Sequence, residues 1–194
     1  MRYDAEKWNE RWADKSSGNG WRVDSWLERH LALVAPGTVL DIACGRGRNA
    51  IFLAERGFRV TALDYSSVAL RQLKEEADRR GVDIAVGLTD LEKEKPELPP
   101  GPFDLLIDFY YLHRPLLARV KTLVRPGGYL IIRTFSSAGQ GDPLSIGPDM
   151  VLEPGELLDV FSSWEILAHE EGLEPSKKGG TLAGIVARRP LSTT

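Results

Sequence analysis

Short apolar runs alternate with amphipathic stretches along most of the chain, and this alternation constrains the fold more than any other feature of the sequence. Val39-Leu40-Asp41-Ile42, preceded by the turn signal Gly37, reads as a buried strand. Residues 49–56 place Ala50, Ile51, Leu53 and Ala54 on one side and predict a helix closed by Gly57. Residues 59–63 read as the next strand. A helix capped by Ser66 or Ser67 then runs through Leu70, Leu73 and Ala77 to Gly81, and residues 83–86 give a third strand. Pro96, Pro99, Pro100 and Pro102 make 91–102 a surface connection. Beyond it come a strand at 103–108, a helix through Leu116, Leu117, Val120 and Leu123, a turn at Pro126-Gly127-Gly128 and an apolar strand at 129–135. A loop at 136–150, a short helix opened by Pro154 and Glu156, and strands at 164–170 and 182–188 complete the chain.

Strands alternating with helices predict an α/β fold, doubly wound and Rossmann-like, with a mostly parallel seven-stranded sheet and helices on both faces. Residues 171–181 are too few and too polar for a crossover helix, so the last strand should run antiparallel. A chain of 194 residues suits one domain and can bury roughly 70% of its unfolded surface. An arm at 1–36 is expected ahead of a ligand-binding domain at 37–194. It carries Trp8, Trp12, Trp21 and Trp26, with Trp8 and Trp12 one helical turn apart. Two readings of the arm stand: docking against its own domain, or a lid over a ligand.

Composition removes several classes. The net charge is −3, and Lys177-Lys178 and Arg188-Arg189 are too short to form a basic stripe, so nucleic acid is not an expected partner. The single Cys44 excludes an internal disulfide and fits a reducing, cytoplasmic setting. Residues 1–7 are polar, with no secretory h-region expected, and no apolar run reaches the ~20 residues of a membrane span. Cys44, His30, His113 and His169 are dispersed and lack metal-ligand spacing. Oligomeric state is not legible.

The chemistry concentrates in Asp41-Ile42-Ala43-Cys44-Gly45-Arg46-Gly47-Arg48-Asn49-Ala50. Gly45 and Gly47 fall between a strand and a helix, where missing side chains let the backbone approach a ligand. Asp64 ends the following strand, on the side where open α/β sheets bind ligands, and a carboxylate there can accept both hydroxyls of a ribose. Gly45-x-Gly47-x-x-Ala50 formally fits a dinucleotide fingerprint, which would make the chain a nicotinamide-dependent oxidoreductase. Asp41 opposes that reading. Like charges 4 Å apart repel by about 4 kcal/mol at an effective dielectric of ~20, and a pyrophosphate would face this carboxylate. A nucleoside with a cationic end, such as S-adenosylmethionine, suits it.

The same segment resembles motif I of the class I S-adenosylmethionine-dependent methyltransferases, with Ala43 where the family usually has its first glycine. Thr89-Asp90-Leu91, Phe103-Asp104-Leu105-Leu106-Ile107-Asp108 and Leu123-Val124-Arg125-Pro126-Gly127-Gly128 are similar to later motifs of that family, in the same order. More narrowly, the chain resembles the small tellurite-resistance and thiopurine methyltransferases: Trp8-x-x-x-Trp12 is similar to the aromatic arm of the thiopurine group, which favours the lid. The His-Arg pair of the tellurite group has no counterpart in 171–180, which sets tellurite or selenite chemistry apart. The resemblance implies that Asp41, Ala43, Gly45 and Gly47 hold the methionine end of the cofactor, and that Asp64 binds the ribose. It implies further that Tyr65, Asp90 and Leu91 surround the adenine, that Asp108 lies near the ammonium, and that Trp8 and Trp12 close over the cofactor. Asp90 also reads as a turn cap.

The expected activity is methyl transfer to a small-molecule acceptor by in-line attack on the sulfonium methyl. A protein of this fold that binds the cofactor without turnover is the other class consistent with the residues. His113, near neutrality in its unperturbed pKa, is the candidate general base, set against a packing or capping role at a helix start. The 136–150 loop is the expected wall of the acceptor pocket.

Overall fold

The computed structural model describes residues 5–14, 20–140 and 142–191. Residues 1–4 of the polar 1–7 stretch and residues 15–19 of the 1–36 arm lie outside them, as does residue 141 of the loop. Among the described residues one sheet of seven strands forms. Contacts divide the chain into two units, Met1–Pro100 and Gly101–Thr194.

The first unit runs α1 (Ala5–Ala13), α2 (Ser25–His30), β1 (Thr38–Ile42), α3 (Arg48–Ala54), β2 (Arg59–Asp64), α4 (Ser67–Arg80) and β3 (Ile84–Leu88). β2 pairs in parallel with β1 and with β3. α4 forms where its caps dictate. Ser66 accepts a hydrogen bond from the Ala69 N–H, and Gly81 adopts φ 69° to end the helix. Ala69, Leu70, Leu73 and Ala77 make its buried stripe, and burying each leucine contributes about 2 kcal/mol. Asp24 caps α2 by accepting from the Trp26 N–H at 3.0 Å. α2 stops at His30 and tightens into a 3-10 turn, Leu31–Leu33, because Pro36-Gly37 leave no room for another α turn.

The second unit runs β4 (Phe103–Phe109), α5 (Arg114–Leu123), β5 (Val124–Ser136), a 3-10 turn at Pro148–Met150, α6 (Glu156–Val160), β6 (Glu165–Pro175) and β7 (Thr181–Arg188). β5 pairs in parallel with β4, and β7 runs antiparallel to both β5 and β6. The expected mostly parallel sheet with an antiparallel last strand is the observed one. β5 starts earlier than expected: Val124 pairs with Phe103 and Tyr129 with Leu105, so Pro126-Gly127-Gly128 forms an irregularity inside the strand. Gly127 has φ 72°, which a side chain would strain. β6 also runs past the expected 164–170, to Pro175, where it pairs with Thr181.

Candidate cofactor site

β1 ends at Ile42 and the chain turns sharply through Ala43 (φ 53°), Gly45 (φ 56°) and Gly47 (φ 76°) before entering α3. Two of these left-handed residues are glycine, which pays no steric cost there; Ala43 pays about 1–2 kcal/mol. The Cys44 N–H donates to the Leu63 carbonyl at 2.9 Å, carrying the β1–β2 pairing one residue into the loop. Gly47 lies against α4: a Cβ built on it would stand 2.2 Å from Leu73 Cδ1. No other residue fits that position with Leu73 in place.

Asp64 organises the turn. Its Oδ2 accepts from the Gly45 N–H at 2.7 Å and its Oδ1 from the Ser66 N–H at 2.8 Å. With the Tyr65 N–H also drawn to it, the carboxylate keeps about one of its roughly four acceptor sites for a ribose hydroxyl. The Thr89 N–H donates to the Asp64 carbonyl at 2.9 Å, which fixes the start of the Thr89-Asp90-Leu91 segment beside it. Burial pushes the Asp64 carboxyl above the usual carboxylate range, against the pull of the backbone N–H groups of Ser66, Gly45 and Tyr65.

Asp41 is only 2% exposed. Burial pushes its carboxyl well up and the neighbouring Asp64 charge adds to the effect, while Arg48 and a hydrogen bond from the Ala50 N–H oppose it. Asp41 therefore caps the first turn of α3, a role the sequence did not disclose. Its Oδ2 is buried and has no partner among the described residues. Two buried carboxylates that repel each other, one with an open acceptor, make a local excess of negative charge that a cation would relieve. Cys44 lies between them. Burial and both charges push its thiol well above its ordinary value, so it is a poor nucleophile.

The arm reaches this loop. The Trp12 ring lies on Gly45, so close that a Cβ there would be 2.8 Å from Trp12 Cζ2. The Arg46 guanidinium lies over the Trp12 ring, 5.6 Å from its centroid, and at the same distance from the Trp21 ring. Trp8 shares with Trp12 the Arg11 guanidinium, 5.0 Å from the Trp8 ring. Below the loop, Arg48 forms a 3.0 Å ion pair with buried Asp24, while Asn49 Oδ1 accepts from the Asp24 N–H at 3.0 Å. Sequence reasoning missed this brace. Its visible sign is the pair Arg48-Asn49, polar residues that open a helix otherwise apolar to Ala54.

Trp12, Asp41, Ala43, Gly45, Gly47 and Asp64 thus share one loop environment. Tyr65 follows Asp64 and is half-buried, and Leu91 is buried. Asp90 Oδ1 accepts from the Glu92 N–H at 3.1 Å, an Asx turn that uses one of its oxygens.

In the second unit Asp108 is buried on β4, followed by Tyr110 in the left-handed region (φ 63°). Tyr110 donates its N–H to the Arg133 carbonyl at 2.8 Å and sets its ring 5.6 Å from Phe135. Held strain of this kind costs about 1–3 kcal/mol and clusters at ligand sites. His113 precedes α5, makes no side-chain capping bond, and buries an Nδ1 with no partner among the described residues. Arg114 makes a bidentate pair with Glu156, at 2.7 and 2.8 Å, which ties the start of α5 to that of α6. The 136–150 loop is fastened to the turn before β7 by Ser145 N–H to the Lys178 carbonyl and Gly180 N–H to the Asp142 carbonyl, both 2.7 Å. Arg133, 2% exposed within a strand that reads as apolar, pairs with Glu174 of β6. Gly184 of β7, its partner in register, offers no side chain in between. Among the described residues no cluster of His, Cys, Asp and Glu has the makings of a metal site.

A glycine-lined turn from the first strand into a helix, an acid at the end of the second strand and a β3-β2-β1-β4-β5-β7-β6 sheet together match the class I methyltransferase architecture. Residues 39–128 match the methyltransferase domain family, and the chain is similar to S-adenosylmethionine-dependent methyltransferases. It is 26% identical over 149 residues to the probable S-adenosyl-L-methionine-dependent methyltransferase TehB of Haemophilus influenzae, covering 73% of this chain and 50% of that protein. It is 31% identical over 155 residues to the ubiquinone biosynthesis O-methyltransferase of Chromobacterium violaceum, covering 73% and 66%. The crystal structure of Haemophilus influenzae TehB shares the fold, with a TM-score of 0.75 at 20% identity over 94% of this chain and 67% of that one. The chain spans about half the length of the first curated relatives it matches.

Proposed function

We propose that the chain binds S-adenosylmethionine at the glycine loop of the first unit and transfers its methyl group to a small-molecule acceptor. The observation that carries this reading is the buried Asp41–Asp64 pair, with Asp41 Oδ2 open and both carboxyls raised by burial. A cationic, phosphate-free nucleoside relieves that repulsion, whereas the diphosphate of a nicotinamide cofactor would add to it. The bound cofactor supplies an activated methyl group on a sulfonium. Asp41 and the backbone at Ala43, Gly45 and Gly47 would hold its methionine end, and Asp64 the ribose. Tyr65, Asp90 and Leu91 would flank the adenine, and Asp108 would serve the ammonium. Trp8 and Trp12 would exclude water from above, which makes 1–36 a lid on the 37–194 domain.

The protein's contribution is then position: an aligned nucleophile can account for up to about 7–11 kcal/mol of barrier reduction. His113, with its open Nδ1, would accept the acceptor's proton where one is released. The net charge of −3 and the kinship with an O-methyltransferase of ubiquinone biosynthesis support a small acceptor over nucleic acid. Among the described residues no helix is long and apolar enough to cross a membrane. With a lone free thiol, this supports placing the protein in the cytoplasm.

The test is calorimetric titration with S-adenosylmethionine and with NAD, followed by an assay for S-adenosylhomocysteine over thiols, phenols, amines and metalloid oxyanions. Binding of S-adenosylmethionine with turnover on one acceptor class is expected. Binding of NAD alone overturns the reading, and binding without turnover on any acceptor reduces it to a cofactor-binding protein.

A further inference from the structure

α1 does more than lie on the glycine loop; it completes the start of α4. The Ser66 hydroxyl donates to Asn9 Oδ1 at 2.7 Å, and the Val68 N–H donates to the same oxygen at 3.3 Å. Val68 lies in the first turn of α4, where backbone N–H groups have no partner within the helix. Ser66 satisfies one of them by accepting from the Ala69 N–H at 3.1 Å, and Asn9, from 59 residues upstream, satisfies another. A second anchor lies farther along α4, where Gln72 Nε2 donates to the Trp12 carbonyl at 2.8 Å.

Asp64 is therefore bracketed by two elements that the arm holds. On one side its Oδ2 is bound by the Gly45 N–H, and Gly45 carries the Trp12 ring. On the other its Oδ1 is bound by the N–H of Ser66, which is fully buried and whose hydroxyl is spent on Asn9. Ser66 is thus one residue with two duties: its backbone aims the carboxylate, and its side chain reports where the arm sits. Moving α1 away leaves the Ser66 hydroxyl and the Val68 N–H without their protein acceptor and uncovers Gly45 in the same step.

We propose that Asn9 is a positioning residue for the cofactor, its side-chain oxygen coupling the docking of α1 to the orientation of Asp64 through Ser66. The inference rests on the reading that Asp64 receives the ribose of S-adenosylmethionine. It makes the coupling reciprocal: a ligand that engages Asp64 stabilises the docked arm, and the docked arm tightens the ligand by the same factor. Only an acceptor at position 9 is required, not an amide.

Calorimetric titration of the full chain with S-adenosylmethionine and S-adenosylhomocysteine tests it in Asn9→Ala and Asn9→Asp. Loss of the shared acceptor in Asn9→Ala should weaken both ligands by about tenfold, because both carry the ribose, while Asn9→Asp should stay within about threefold of the parent. Tryptic cleavage after Lys7 and Arg11, both exposed, gives a readout free of any variant: either ligand should slow it in the unsubstituted protein. Unchanged affinity in Asn9→Ala overturns the proposal, as does equal loss in both variants, or cleavage of α1 indifferent to bound ligand. Failure of the unsubstituted protein to bind either ligand overturns the cofactor reading and this proposal together.

Discussion

The two units use their carboxylates in opposite ways. In the second, Glu156 is held below the usual carboxylate range by its hydrogen bonds with Arg114, as a paired acid on a protein surface normally is. In the first, Asp41 and Asp64 are buried beside each other and raised, and Arg48, a cation that acts on Asp41, is itself engaged by Asp24. The first unit has ordinary pairs too: Glu76 on α4 is lowered to about 2 by Arg79 and Arg80. The contrast therefore belongs to the glycine loop and not to the unit as a whole. Where acids serve the fold they are matched. In the glycine loop they are left in excess.

The largest effect that could break this contrast is at Asp64. Replacing it with alanine removes the acceptor of the Gly45, Ser66 and Tyr65 N–H groups as well as the proposed ribose contact, and S-adenosylmethionine affinity should fall by about a hundredfold in calorimetry. An unchanged affinity would take Asp64 out of the ribose role.

pH comes next. A cation that ionises the Asp41–Asp64 pair displaces protons. S-adenosylmethionine affinity should therefore rise by up to about tenfold per pH unit through the window between the ordinary carboxylate pKa and the raised values, and level off above it. For folding without ligand the signs of the two sites differ. The raised acids bind protons more tightly in the folded state, so their contribution to stability declines as pH climbs through that window. Glu156, lowered, adds stability that is present above its unfolded pKa and disappears as pH drops through its folded one. Affinity measured at a series of pH values, in buffers of differing ionisation enthalpy, counts the protons; a flat profile would show that the acids are not in excess.

Glu156→Gln should lower stability by about 1 kcal/mol, a modest figure because Arg114 is partly exposed, and leave cofactor affinity unchanged. Denaturant midpoints and titration read the two separately. The smallest effect sharpens the picture of the loop itself. Ala43→Gly relieves a left-handed backbone at the cost of a more flexible unfolded chain, so it should stabilise the protein by about 0.5–1 kcal/mol. Chemical denaturation decides the sign.

Much of this was legible in the residues. The glycines and Asp64 announce themselves because a strand, a tight turn and a helix impose local residue types, and the strand-helix alternation dictates a parallel sheet. Errors gathered where geometry is set by distant partners. β5 absorbs the Pro126-Gly127-Gly128 turn because β4 pairs on both sides of it, a fact no local pattern contains. Asn9 and Gln72 read as ordinary polar residues of amphipathic segments. Their meaning comes from Ser66 and Trp12, which lie 57 and 60 positions away and share no period with them. Asp41 was read for its charge alone, and its hydrogen bond to the Ala50 N–H at the opening of α3 emerged only with the backbone in place.

The contact between Gly47 and Leu73 has an evolutionary corollary. With the leucine methyl occupying the volume a β-carbon would need, neither position is at liberty to drift alone. Sequences descended from a common ancestor with this chain should show the two sites changing in concert: a bulkier residue in the loop arrives only alongside a smaller one on the neighbouring helix.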